Sequence, residues 1–292
     1  MQLLDGKQLS LTLQNEIGLE VKEAIALGRK RPHLAAVLVG NNPASETYVN
    51  SKIKACENIG FRSTLLQFTD QVSQQELVVA VQQLNDNEDI DGILVQLPLP
   101  SHIDEEKVTE AISPAKDVDG FHPVNIGRMV KGLASFLPAT PYGIIMLLER
   151  YKIATEGKHC VVIGRSNIVG TPVSILLSRN TYPGNCTVTL THSKTKHLKD
   201  ICLQADIIIA AIGKPDFVKA EWIREGAVVI DVGINRVVDT SKKSGYRLKG
   251  DVDFENVSPK CSFITPVPGG VGPLTIAALM KNTMTASKSR YS

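Results

Sequence analysis

Tyr48 and Lys52, in the run SETYVNSK, are the first residues of this 292-residue chain whose types and spacing suggest chemistry. The pattern from Ser45 to Gly60 is helical, and four positions along a helix put phenol and ammonium on one face. Such a pair can stack on or hydrogen-bond a ligand and move a proton. The alternative is a solvated lysine packed along a tyrosine ring. Short-chain dehydrogenases also carry YxxxK, but after a glycine turn within one domain, whereas here the motif lies far upstream of the cofactor-like turn. Gln96 falls in the apolar run Gly92–Leu97, predicted to be a strand, where an unpaired amide would cost on the order of 1 to 3 kcal/mol. It either bonds neighbouring backbone or faces a ligand at the strand end, the usual place for a site in a parallel sheet. Asp117 and Asp119 lie in KDVDGFH. Asp-Gly is a turn signal, so one carboxylate fixes the loop and the other is left to accept a pair of N–H donors from a heterocycle. The loop Pro268–Pro273 has no side chain for acid-base work, which leaves close backbone approach to a flat ligand as its role.

A second constellation spans residues 157–177, GKHCVVIGRSNIVGTPVSILL. Four apolar residues end at Gly164, a glycine-spaced turn follows, and Pro172 opens an apolar run, which together read as buried strand, turn and helix. A helix N-terminus behind such a turn suits a pyrophosphate. The spacing departs from GxGxxG: Gly164 and Gly170 hold the outer positions, Ser166 replaces the middle glycine, and the loop is one residue longer. The next predicted strand, Cys186–Thr191, ends in His192-Ser193-Lys194, without the acidic residue that takes the ribose hydroxyls of NAD. With Arg165 in the turn and Ser193 and Lys194 at the strand end, the pocket favours a 2′-phosphate and hence NADP.

The elements that must position these groups alternate. Amphipathic helices are predicted over residues 9–27, 45–59 and 74–84, and apolar strands over 33–39, 63–68 and 92–97. This order, without tight hairpins, predicts parallel α/β sheets. From Pro100 to Gly132 no period is visible, and an ordered loop over a cleft is expected. A helix over Tyr142–Tyr151 serves as the hinge into the cofactor stretch. Further α/β units follow, with helices near 198–202 and 220–224, strands at 207–211 and 228–232, and a last helix from Leu274 to about Met284. The polar end ASKSRYS is expected to be disordered. The length suits two domains, and 43% hydrophobic content allows full cores. A net charge of +2 without basic runs gives no reason to expect nucleic acid or an anionic membrane. The five cysteines have no metal-like spacing and read as buried thiols of a reducing compartment. No metal site, targeting segment or membrane span is expected, and the cytoplasm is the expected location.

SETYVNSK, VQLPLP, KDVDGFHP, GRSNIVGTP and TPVPGGVGP, in this order and from about residue 4 to 284, resemble the bifunctional methylenetetrahydrofolate dehydrogenase/cyclohydrolase family. The resemblance implies two α/β domains with parallel sheets flanking a cleft. The folate-binding catalytic domain comprises residues 1–138 and 273–292, and a Rossmann-type NADP-binding domain comprises 139–272. It implies oxidation of 5,10-methylenetetrahydrofolate with NADP, then hydrolysis of the methenyl product to 10-formyltetrahydrofolate, in one-carbon metabolism and purine biosynthesis. Lys52 becomes the catalytic lysine, Tyr48 its partner over the folate, Gln96 the group that orients and tunes that lysine, and Asp119 the pterin anchor. Val95, Leu97 and Pro268, Gly269, Gly270, Val271 and Gly272 line the folate site. Gly164, Arg165, Ser166, Ser193 and Ile234 fall on cofactor positions. A homodimer formed through the cofactor domain is expected. A shikimate-dehydrogenase-type NADP enzyme shares the architecture but does not need VQLPLP and PVPGGVGP. A non-catalytic folate- or nucleotide-binding relative is disfavoured by the intact Tyr48, Lys52, Gln96 and Asp119.

Overall fold

Residues His33–Val39 are buried at every position, as a strand inside a parallel sheet with both faces covered must be. The computed structural model describes residues 1–242 and 245–289. Its elements run β1 (Gln2–Leu3), α1 (Gly6–Ala26), β2 (His33–Val39), α2 (Pro43–Ile59), β3 (Arg62–Phe68), α3 (Gln74–Asp86), β4 (Gly92–Val95), α4 (Glu105–Ala111), α5 (Pro123–Val130) and α6 (Ala139–Arg150). There follow β5 (His159–Ile163), α7 (Gly170–Ser178), β6 (Thr187–Thr191), α8 (Leu198–Leu203), β7 (Ile207–Ala210), β8 (Ala227–Asp231), β9 (Asn235–Val238), β10 (Tyr246–Lys249), α9 (Phe254–Val257), β11 (Cys261–Ile264) and α10 (Val271–Ser289). The chain divides into two compact units, one of Leu11–Ala139 with α10 from Ile276 onward, the other of Met1–Ser10 with Thr140–Thr275.

In the first unit β2 lies between β3 and β4, parallel to both. Alternate residues of β2 serve two cores. Leu34, Ala36 and Leu38 join residues of α1, α2 and α10, among them Ile17, Val49, Cys56, Leu279 and Met280. Ala35, Val37 and Val39 pack with Leu77 and Val81 of α3 and Val108 of α4. Helix α2 is held at both ends: the Asn42 side chain accepts from Ala44 and Ser45 N–H, and Gly60 closes it at φ 85°.

The second unit holds a six-stranded sheet in the order β1-β11-β8-β7-β5-β6, with every strand pair parallel. The sheet order turns at β5, whose neighbours are β6 and β7, and open α/β sheets place ligands at the carboxyl ends of strands where the order reverses. Among the described residues, no helix is long and apolar enough to cross a membrane, and all five cysteines are buried and free.

Several elements depart from the sequence expectation. The stretch from Pro100 to Gly132 contains α4, capped by the Asp104 carboxylate, and α5, capped by the His122 ring; helices this short show too few turns to reveal a period. Strand β4 stops at Val95, so Gln96 sits just past it. The helix expected near 220–224 is a single 3-10 turn, Ala220–Trp222. Hairpin β9–β10 is antiparallel and was not anticipated. Helix α10 continues to Ser289, so the start of the expected disordered tail is helical, and residues 290–292 lie outside the described residues. Residues 1–10, expected in the folate domain, belong with the six-stranded sheet because β1 pairs with β11.

The return of α10 to the first unit has a local function. Asn282 Nδ2 donates to Val118 O at 2.8 Å and to Leu137 O at 2.9 Å, closing the loop that contains Asp119. The tight approach requires Gly120, at φ 75°, since a Cβ there would stand 2.5 Å from the Leu137 carbonyl carbon. Asn282→Ala should therefore cost about 1 to 3 kcal/mol, read as a lower urea midpoint with unchanged slope; an unmoved midpoint refutes the clamp.

Candidate active site

Helix α2 carries Tyr48 and Lys52, with Tyr48 43% exposed and Lys52 half-buried. Lys52 Nζ donates to Gln96 Oε1 at 3.1 Å, and Gln96 Nε2 donates to Leu97 O at 2.6 Å. These bonds orient the amide unambiguously, because an ammonium only donates and a carbonyl only accepts. Gln96 therefore takes both routes left open by its sequence: one end bonds neighbouring backbone, the other faces the lysine. Its own N–H is tied to Val37 O at 2.9 Å, so the amide is fixed to β2. Val95 is buried at the end of β4, and Leu97 packs partly against the α3 side of the core.

Asp117 and Asp119 have different surroundings. Asp117 is buried and accepts from Gly120, Phe121 and His122 N–H at 2.8 to 3.2 Å and from Asn125 Nδ2 at 2.9 Å. It is the loop-fixing carboxylate, and burial pushes it up to about 6 against those donors. Asp119 faces Lys52 electrostatically. Burial raises the Asp119 carboxyl, with Lys52 opposing, and burial lowers the Lys52 ammonium, with Asp119 opposing. Each charge is thus kept in a poorly solvated place chiefly by the other.

In the second unit, a Cβ on Gly164 would stand 2.1 Å from Ala211 O, and one on Gly170 would stand 1.9 Å from Gly164 O. Both outer glycines are required for the backbone to turn between β5 and α7. Ser166 Oγ accepts from Val169 N–H at 3.1 Å, so the residue in place of the middle glycine caps the turn. Ile163 pairs with Thr191, which brings Arg165 and Ser193, each two residues further on, to the carboxyl ends of adjacent strands. Arg165, Ser166, Ser193 and Lys194 are all exposed. Ile234, 42% exposed, reaches the other predicted loop: its Cδ1 would lie 3.1 Å from a Cβ on Gly272. In that loop Pro268 is exposed, Gly269 and Gly272 are half-buried, and Gly270 and Val271 are buried.

Two residues that organise this edge were missed by the sequence reading. Asp251 accepts from Ile212, Gly213 and Lys214 N–H at 2.7 to 2.9 Å, holding the loop after β7. Asp231 accepts from Gly233, Asp251 and Val252 N–H, each at 2.9 Å, and burial pushes it up to about 7. The available signal was an acid ending the apolar run AVVID, where a buried carboxylate needs donors. The first unit therefore carries Tyr48, Lys52, Val95, Gln96, Leu97 and Asp119, and the second carries the residues expected to hold a cofactor and the Pro268–Gly272 loop.

Comparison with known proteins gives a consistent result. A family model described as tetrahydrofolate dehydrogenase/cyclohydrolase, catalytic domain, matches residues 4–119, and its NAD(P)-binding counterpart matches 138–291. The bifunctional protein FolD of Cytophaga hutchinsonii is 61% identical over 287 residues, 98% of this chain and 99% of that protein. The FolD methylenetetrahydrofolate dehydrogenase/cyclohydrolase of Campylobacter jejuni superposes with a TM-score of 0.93 at 47% identity, covering 99% of both chains. The FolD of Trypanosoma brucei, solved with NADP and an inhibitor, does so with a TM-score of 0.92 at 40% identity, covering 98% of this chain and 97% of that one. With both halves matched by their own models, and in the same order, the chain belongs to the tetrahydrofolate dehydrogenase/cyclohydrolase family.

Proposed function

We infer that this protein oxidises 5,10-methylenetetrahydrofolate to the 5,10-methenyl form with NADP, then hydrolyses that product to 10-formyltetrahydrofolate. The observation that carries the reading is the bond from Lys52 Nζ to Gln96 Oε1, 3.1 Å long and opposite Asp119. The edge of the β5–β6 pair fits NADP: two glycines clear the backbone for phosphate, and Arg165, Ser193 and Lys194 supply exposed donors for a 2′-phosphate without a competing acid. Bound NADP supplies the hydride acceptor.

The chain's own groups divide the remaining work. Asp119 anchors the pterin through its N–H donors, the ring of Tyr48 lies over the folate, and Val95, Leu97 and Pro268–Gly272 shape its walls. Lys52 serves the hydrolytic step, in which the attacking water must lose a proton. A unit positive charge about 4 Å away, at an effective dielectric near 20, repels an ammonium by roughly 4 kcal/mol, equivalent to about 3 in pKa. The methenyl cation therefore drives an amine already lowered by burial towards its neutral form, whereas the uncharged methylene substrate does not. Gln96 Oε1 holds one N–H of that amine and so directs its lone pair elsewhere, towards the water. The same reading gives a homodimer formed through the cofactor domain, located in the cytoplasm, supplying formyl groups for purine biosynthesis. Light scattering of the purified protein tests the dimer.

Three substitutions test these assignments. Lys52→Met should leave dehydrogenase turnover at a tenth or more of its former rate while methenyl hydrolysis collapses, followed spectroscopically in one cuvette; equal loss of both would assign the lysine to both steps. Asp119→Asn removes a charge-assisted pair and should weaken folate binding by about 1.5 to 3 kcal/mol, and an unchanged folate affinity would mean that another group anchors the pterin. Arg165→Ala should narrow the ratio of kcat/KM for NADP over NAD. If that ratio stays constant, the 2′-phosphate is read by other groups, with Lys194 next in line.

A further inference from the structure

The first residues of the chain lie against the loop assigned above to the folate. Strand β1 pairs with β11, matching Gln2 to Phe263 and Leu3 to Ile264. Leu4 is fully buried, and its N–H donates to Ile264 O at 2.8 Å. The Asp5 backbone N–H meets the Tyr151 hydroxyl at 2.8 Å, and its carboxylate accepts from Gln8 N–H at 2.8 Å, so α1 starts at one defined point. Lys7 N–H then donates to Gly269 O at 2.8 Å, and Ser10 Oγ donates to Pro273 O at 2.7 Å. Between these contacts, Gly6 lies so close to the loop that a Cβ would stand 1.8 Å from Gly270 O and 2.6 Å from its carbonyl carbon. Gly270 is itself closely packed, since a Cβ there would stand 2.5 Å from Pro266 O and 2.8 Å from Thr265 Cβ.

We propose that the segment Gln2–Lys7 is the backing that sets the height of the Pro268–Gly272 loop, with Gly6 a positioning residue for the folate substrate. The loop has no catalytic side chain, so its contribution depends on where its backbone stands. At Gly6 the backing and the loop touch main chain to main chain, where no rotamer can absorb an added atom. The residues at the NADP turn follow β5 and β6, strands separated from β1 by β11, β8 and β7 in the sheet order. A displaced loop should therefore change the response to folate far more than cofactor affinity, since it meets the expected cofactor residues only where Ile234 packs on Gly272. The inference rests on the assignment of Pro268–Gly272 to the folate site.

The test compares Gly6→Ala, Lys7→Pro and Gly269→Ala in the full-length enzyme, measuring KM for methylenetetrahydrofolate, kcat, NADP dissociation constant and thermal midpoint. Lys7→Pro deletes the N–H that bonds Gly269 O, in the first turn of α1, where no helical bond is lost. Gly269→Ala strains the loop directly, at φ 105°. The expected result is a folate KM raised tenfold or more in Gly6→Ala and at least threefold in Lys7→Pro, with NADP affinity within twofold of wild type in both. Should Gly6→Ala fail to fold, Lys7→Pro alone decides by the same threshold. If Gly269→Ala raises the folate KM while the two backing variants leave it within twofold, the backing role is refuted and the loop assignment stands. If Gly269→Ala also leaves it unchanged, the loop assignment fails, and the backing role fails with it. A loss of NADP affinity in step with the rise in folate KM, together with a lowered thermal midpoint, would show general destabilisation and equally refute a positioning role.

Discussion

The hydrogen bond between Lys52 and Gln96 constrains the rest of the first unit, because it holds an amine partly out of water with a single carboxylate to balance it. A freely solvated lysine would stay protonated at neutral pH and could not take a proton from water. An isolated buried one would lose its charge outright. The arrangement lies between these extremes and depends on rigid placement. Helix α2 is capped at both ends, Gln96 is tied to β2 through its own backbone, and Asp119 is carried on a loop closed by Asp117 from within and by Asn282 from α10. Relaxing any of these supports changes the distances on which the balance of charge relies.

The second unit solves a different problem with similar means. Its site is mostly backbone: glycines that let main chain pass close to main chain, and N–H groups gathered by buried carboxylates. Asp231 and Asp251 between them accept from six backbone N–H groups beyond the ends of β7, β8 and β10. These acids act at the edge of the site as scaffolding. The charged side chains at the β5–β6 edge, Arg165 and Lys194, are exposed.

Much of this was legible in the sequence where the signal was periodic or local. The helical period around SETYVNSK placed Tyr48 and Lys52 together, and the apolar runs at 33–39, 160–163 and 207–211, short and alternating with helical stretches, read as parallel strands. Other features had no local trace. Asp117 and Asp119 both precede a turn, and what separates them is the set of donors from residues 120–125, which only folding brings to one of them. Asn282 reads as one polar residue in a helix, yet its partners lie far back in the chain. β1 has two residues and therefore no alternation to detect, and β9–β10 is a hairpin of short strands with mixed exposure. Gly6 looks like any glycine before a helix until Gly270 is placed against it.

The first unit's core includes Leu279, Met280, Met284 and Ala286 of α10. During synthesis, all three strands of its sheet are available once β4 has emerged, while the helix that covers one face is still untranslated. At ~5 to 20 residues per second, the ribosome needs on the order of ten seconds to deliver it. Over that interval the nascent domain presents a bare apolar surface around Ile17, Val49 and Ala55. A chain cut short of α10 would leave that surface open, so the packing of a sheet made early waits on a helix encoded almost two hundred residues later.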